Sequence, residues 1–182
     1  MLEVELDQSD DWTEDQDWQA LADAAVKAAF LVSSHGNLAN APFTLSLSIS
    51  LSTNAEVQTL NAQWRGKDKP TNVLSFPMLE PSELVALANT DDGEVLLGDM
   101  ILAFETCQAE AIDKAVRLAD HVTHLIVHGT LHLVGLDHID DTQAEHMEAL
   151  EVKALASLGL ANPYSASPFN DDPTHTEAAK PT

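Results

Sequence analysis

Residues 128–138 read HGTLHLVGLDH, three histidines and two glycines in eleven residues. On a helix each residue turns by about 100°, so His128 and His132 leave the same face one turn apart. Two imidazoles so placed form a bidentate clamp for a borderline-soft ion such as Zn²⁺. A third ligand further along the same straight helix would move away from that ion. Gly135 removes the difficulty, because glycine adopts the left-handed conformation that ends a helix and turns the chain back. His138 then swings towards the clamp. Three protein ligands leave a coordination position open, which is the catalytic rather than the closed structural arrangement. Ni²⁺, Cu²⁺ and Co²⁺ also suit three imidazoles, so the residues themselves do not name the metal.

The spacing H-x₃-H-x₂-G-x₂-H matches that of the metzincin peptidases, whose signature is HExxHxxGxxH. Here Gly129 stands where those enzymes carry the glutamate that deprotonates metal-activated water. The metal cage is kept and the peptidase base is missing, so a zinc peptidase or amidase is a disfavoured alternative. Asp137 has two readings of equal weight: a carboxylate orienting an imidazole or the reacting water, or a turn residue capping its own backbone. His121 and His124 share a face with His128 but read as satisfied core or surface residues. Met147 reads as core, and Asp140 and Asp141 as helix-capping residues.

A second stretch, WRGKDKP (64–70), gathers Arg65, Lys67 and Lys69, three of the eight basic residues. By spacing alone, Arg65 is a last-turn cation favouring the helix dipole, with Gly66 as the residue that stops the helix. The alternative is a planar guanidinium offered to a phosphate beside the metal.

The elements that must position these residues follow from periodicity. Residues 2–7 (LEVELD) alternate as a short strand, and DQSDDWTEDQD (7–17) forms a solvated acidic connector. A helix is expected over about 18–32, and the alternating run FTLSLSISLS (43–52) is the clearest strand, half-buried. Thr53 with Glu56 forms a capping box for a helix ending at Gly66. TNVLSF (71–76) is a third strand, and the acidic segment 78–93 reads as a surface loop. EVLLGDMILAF (94–104) is a fourth strand with Gly98 as a bulge or close-approach point. Helices follow over about 105–114 and from Leu118 into the histidine motif. Thr142 and Glu145 suggest a second capping box, opening a helix that ends before Gly159. The pattern indicates an α+β fold with a single small mixed sheet of about four strands flanked by helices. Residues 1–161 are expected to form one metal-dependent catalytic domain, and the Pro/Ser/Thr-rich 162–182 a disordered tail.

The 182 residues carry a net charge of −22. Eight acids and no Lys or Arg fall in residues 1–20 (Glu3, Glu5, Asp7, Asp10, Asp11, Glu14, Asp15 and Asp17). This opposes non-specific coating of nucleic acid, whose binding is dominated by phosphate neutralisation. Screening beyond about 8 Å still lets a local basic patch outweigh a distant acidic face. Cys107 is the one cysteine, so no internal disulfide forms. With no apolar run long enough for a membrane span and no signal peptide, a soluble protein of a reducing cytoplasm is expected.

HGTLHLVGLDH together with RGKDKPTNVLSFP resembles the YbeY family, metal-dependent endoribonucleases tied to ribosomal RNA maturation. The resemblance spans roughly residues 40–164 and includes the order of elements and the closing ANPY. It implies a metal, taken as Zn²⁺, held by His128, His132 and His138, with Arg65 and His128 as catalytic residues in one cleft. It further implies single-stranded RNA as substrate, 3′-end maturation of small-subunit ribosomal RNA, and a role in ribosome quality control. Components of the small ribosomal subunit are the implied partners, and a non-catalytic assembly factor stapled by the metal is the other alternative. No general base is evident. A second water, a remote carboxylate or the substrate's own 2′-hydroxyl could serve.

Overall fold

The computed structural model describes residues 1–165. Four strands, β1 (Leu2–Gln8), β2 (Thr44–Ser52), β3 (Val73–Pro77) and β4 (Glu94–Ala103), form one sheet in the order β1-β2-β4-β3. β1 and β4 run parallel to β2, whereas β3 runs antiparallel to β4, so the sheet is mixed as expected. The helices are α1 (Trp18–Val32), α2 (Asn54–Arg65), α3 (Pro81–Ala86), α4 (Phe104–Asp113), α5 (Leu118–Leu133) and α6 (Asp141–Ser157).

Alternation divides the sheet into two unlike faces. Leu45, Leu47, Ile49 and Leu51 of β2, with Met100 and Leu102 of β4, join α1 and α5 in the main core. On the other face Val57 and Leu60 of α2 cover Leu74, Phe76, Ile101 and Ala103 in a smaller cluster. α5 is therefore enclosed by the sheet, α1 and α6, and every residue from His121 to Leu133 is buried.

Gly98 is both things its sequence context suggested. The β2–β4 register shifts between Ser46 and Leu47, leaving Leu97 unpaired. A Cβ at Gly98 would lie 2.5 Å from the Phe76 carbonyl oxygen and 2.8 Å from Leu133 Cδ2. No L side chain fits between the β3 backbone and the end of α5.

Three expectations are corrected. The connector 7–17 is not merely solvated, because Trp12 is buried. Its indole N–H donates to the Ser52 carbonyl at 2.9 Å, and its ring packs edge-on against Trp18 and Phe104. The segment 78–93 is not simply a loop. Glu80 and Glu83 form a reciprocal capping box that opens α3, and Leu84 is buried beneath it. The last helix is capped by Asp140, one of the residues read as capping, which accepts from the Gln143 N–H at 2.8 Å; the alternative box opened by Thr142 does not form the cap. The stretch DDT offers adjacent cap-forming residues, and backbone geometry selects the first. Of the expected tail, Asn162–Ser165 form a turn stabilised by the Asn162 side chain and carbonyl; residues 166–182 lie outside the described residues.

Gly98→Ala is expected to destabilise the fold by about 1–3 kcal/mol or more, the cost of overpacking against an immovable backbone. Urea unfolding measures this as a lowered midpoint at unchanged slope.

Candidate metal centre

α5 ends where the sequence said it must. Gly135 has φ +97°; its N–H bonds the His132 carbonyl, and the Leu136 N–H bonds that of Leu131. This pair of bonds is the Schellman motif, which satisfies the last carbonyls while reversing the chain. The reversal carries His138 back over the helix. His128, His132 and His138 each offer a ring nitrogen, and these nitrogens all lie within 4.8 Å of one another. The rings of His128 and His132 stand edge-to-face at 4.7 Å between centroids, and His138 stacks on His128 at 5.7 Å.

Nε2 of all three histidines is buried and has no hydrogen-bond partner among the described residues. A buried polar nitrogen left unpaired is costly. Three of them converging on one point are explained together by a cation that accepts their lone pairs. The donor set therefore fits a divalent transition metal. Burial, and next the charges of His128 and His138, hold the His132 imidazole down to about 3, so it is neutral and ligand-competent.

The back of the centre is a carboxylate that sequence reasoning missed. Glu151 of α6 is buried, and its Oε1 accepts from His128 Nδ1 at 3.0 Å, His124 Nε2 at 2.8 Å and Tyr164 Oη at 3.0 Å. Burial pushes this carboxyl up, but the bonds from His124 and His128 outweigh it and hold the group at about 2. Burial also pushes the Tyr164 phenol up, assisted by the charge of Glu151, so its proton stays in place to donate. Glu148, three residues earlier on α6, is half-buried and interacts electrostatically with His128 and His138. Burial, then the charges of Glu151 and Glu145, raises its carboxyl.

Of the two readings of Asp137, the structure favours the turn: its Oδ1 accepts the His138 backbone N–H at 2.7 Å. His121 is satisfied, as expected, by Glu110 at 2.8 Å. A Cβ on Gly129 would lie 2.6 Å from Met100 Sδ, so this position faces the sheet and not the three converging histidine rings. Arg65 lies half-buried at the end of α2, the helix on the opposite sheet face from α5. The structure thus joins the three histidines directly, whereas Arg65 comes from another layer.

The family model for endoribonuclease YbeY matches residues 3–159. The chain belongs to the YbeY family. An endoribonuclease YbeY of Sphingopyxis alaskensis is 57% identical over 165 residues, covering 91% of this chain and 98% of that protein. That of Zymomonas mobilis is 51% identical, covering 91% and 94%. A solution structure of a Thermotoga maritima protein shares the fold at 18% identity and a TM-score of 0.51, covering 93% of this chain and 99% of that one. The YbeY match takes in the triad, Arg65, Glu148 and Glu151, and it extends nearer the N-terminus than the quoted motifs did. No helix among the described residues is long and apolar enough to cross a membrane.

The two depressed groups give the metal-free protein a defined acid limit. His132 takes up its proton only on unfolding, so stability falls as pH drops from about 6.5 towards 3; Glu151 adds a loss from about 4.5 towards 2. Each group contributes a slope of up to about 1.4 kcal/mol per pH unit. Urea midpoints between pH 7 and 3 should decline accordingly, and His132→Gln should flatten the upper part of the curve.

Proposed function

We propose that this chain is a zinc-dependent, single-strand-specific endoribonuclease that matures the 3′ end of small-subunit ribosomal RNA and acts in ribosome quality control. The observation that carries the metal part is the convergence of three buried, unpartnered Nε2 atoms. The RNA part is supported by membership of a family named for endoribonuclease activity. A peptidase is disfavoured, because the position that would hold its base faces Met100 across the core. Partnership with small-subunit components rests on the family resemblance. A cytoplasmic setting is supported by a lone, buried, free cysteine.

His128, His132 and His138 hold the ion in this reading. When bound, it supplies Lewis acidity towards a phosphoryl oxygen and a more acidic water. Arg65 supplies a fixed positive charge for the extra negative charge of the pentacoordinate transition state. The planar guanidinium also offers paired N–H donors that match a phosphate's oxygens, which a lysine ammonium does not. Glu148 is the remote carboxylate able to accept the nucleophile's proton, being half-exposed and electrostatically coupled to two of the ligands.

Cleavage of single-stranded RNA should disappear on chelation and in His132→Ala, and return to the wild-type protein with added zinc. Activity that survives either change refutes the metal mechanism. Arg65→Ala should lower cleavage by about a hundredfold or more with bound metal unchanged; loss of metal would mark Arg65 as structural. Zinc-loaded protein inactive on every RNA, whose metal-free form unfolds, would favour an assembly factor.

Binding should also depend weakly on salt. With Arg65, Lys67 and Lys69 as the phosphate contacts, log affinity should fall with log salt at a slope no steeper than about −2. Filter binding between 50 and 200 mM salt (about a fourfold range) measures it, and a steeper slope would reveal further cationic contacts.

A further inference from the structure

Glu151 is the one carboxylic residue that is buried among the described residues, at 1% exposure. Such a group is tolerated only where donors surround it. Three donors, His124 Nε2, His128 Nδ1 and Tyr164 Oη, meet on one of its two oxygens, Oε1, while Oε2 has no hydrogen-bond partner among the described residues. An ionised carboxylate has only acceptor sites, so each partner must bring its own proton. For His128 this fixes the proton on Nδ1 and turns the Nε2 lone pair towards His132 and His138. That Nε2 is the atom the protein leaves unpartnered.

We propose that Glu151 is a positioning residue of the metal centre: it locks His128 in the tautomer and orientation that present Nε2 to the ion, while His124 and Tyr164 lock Glu151. The inference rests on the reading that the three histidines hold the metal. It adds that the site is assembled from residues 40 positions apart, from His124 on α5 to Tyr164 in the turn after α6. His124 Nε2 and Tyr164 Oη lie 3.2 Å apart and their rings meet edge-to-face at 5.5 Å, so the two clamps also brace each other. The negative charge of Glu151, passed through the imidazole, makes Nε2 a stronger donor to a cation.

Glu151→Gln keeps the shape and replaces the charge by an amide that cannot accept at every site. Zinc affinity, measured by competition with a chromophoric chelator, should fall about 10- to 100-fold. In metal-free protein, nitrogen-15 NMR of the His128 ring should change from the Nδ1–H form in the wild type to a mixture in the variant. Tyr164→Phe, which removes one donor and keeps the ring, should shift both readouts in the same direction, with a loss in affinity below about tenfold. This second variant decides the matter if Glu151→Gln does not fold. Zinc affinity within about twofold of wild type and an unchanged tautomer would overturn the proposal, even with a lowered melting temperature, since Glu151 would then only pair two helices. That result would leave the metal reading standing. A wild-type protein that takes up no zinc would instead overturn the metal reading and the inference together.

Discussion

Everything in this fold answers to one constraint: α5 is buried at every residue from His121 to Leu133 and yet carries four imidazoles there. Water cannot satisfy them, so each must find its partner within the protein. Neighbouring helices supply two carboxylates for this purpose, Glu110 from α4 for His121 and Glu151 from α6 for His124 and His128. The placement of α4 and α6 is thereby tied to the polar needs of the central helix as well as to apolar packing. What those carboxylates do not satisfy is the set of three Nε2 atoms of His128, His132 and His138, which converge without a hydrogen-bond partner among the described residues.

The charge distribution suits the same division. The sheet face away from α5 carries Glu3, Glu5 and Asp7 of β1 beside Ser48 and Ser50 of β2, a row of acidic and hydroxyl side chains. The basic loop, by contrast, begins at Gly66 with φ +67° and is pinned from behind. Asn61 Nδ2 donates to the Lys69 carbonyl at 2.8 Å, and the Lys67 N–H bonds the Asn61 carbonyl. A polyanion would meet repulsion over most of the surface and a pre-shaped cationic loop at one place. Orientation can then come from what the protein repels as much as from what it attracts.

The sequence disclosed what depends on local spacing. The triad was legible because i, i+4 and a helix-ending glycine are local geometry, and Gly98 because a glycine inside an apolar strand needs a reason. Glu151 was not legible. Its partner His128 lies 23 residues away, and a glutamate in an amphipathic helix reads as solvated until the facing helix is known. Trp12 was hidden by its acidic neighbours, since composition described the connector and only tertiary contact revealed the anchor. α3 is six residues long, too short for periodicity to register. Asp137 had two readings that spacing could not separate, and a single hydrogen bond to the His138 amide separated them.

The bulge at Leu97 and Gly98 acts as a phase corrector. Before it, Val95 pairs with Leu45; after it, Met100 pairs with Ile49, so odd and even positions of β4 exchange faces part-way along the strand. Leu96 is left 56% exposed while Leu97 is enclosed. The upstream half of β4, continuous with the acidic excursion after β3, therefore keeps its own inside-outside pattern. The downstream half keeps another, the one that lays Met100 beneath Gly129. Changes of length or pattern in the excursion can be absorbed at that joint, and the floor on which the histidine helix rests does not have to change with them.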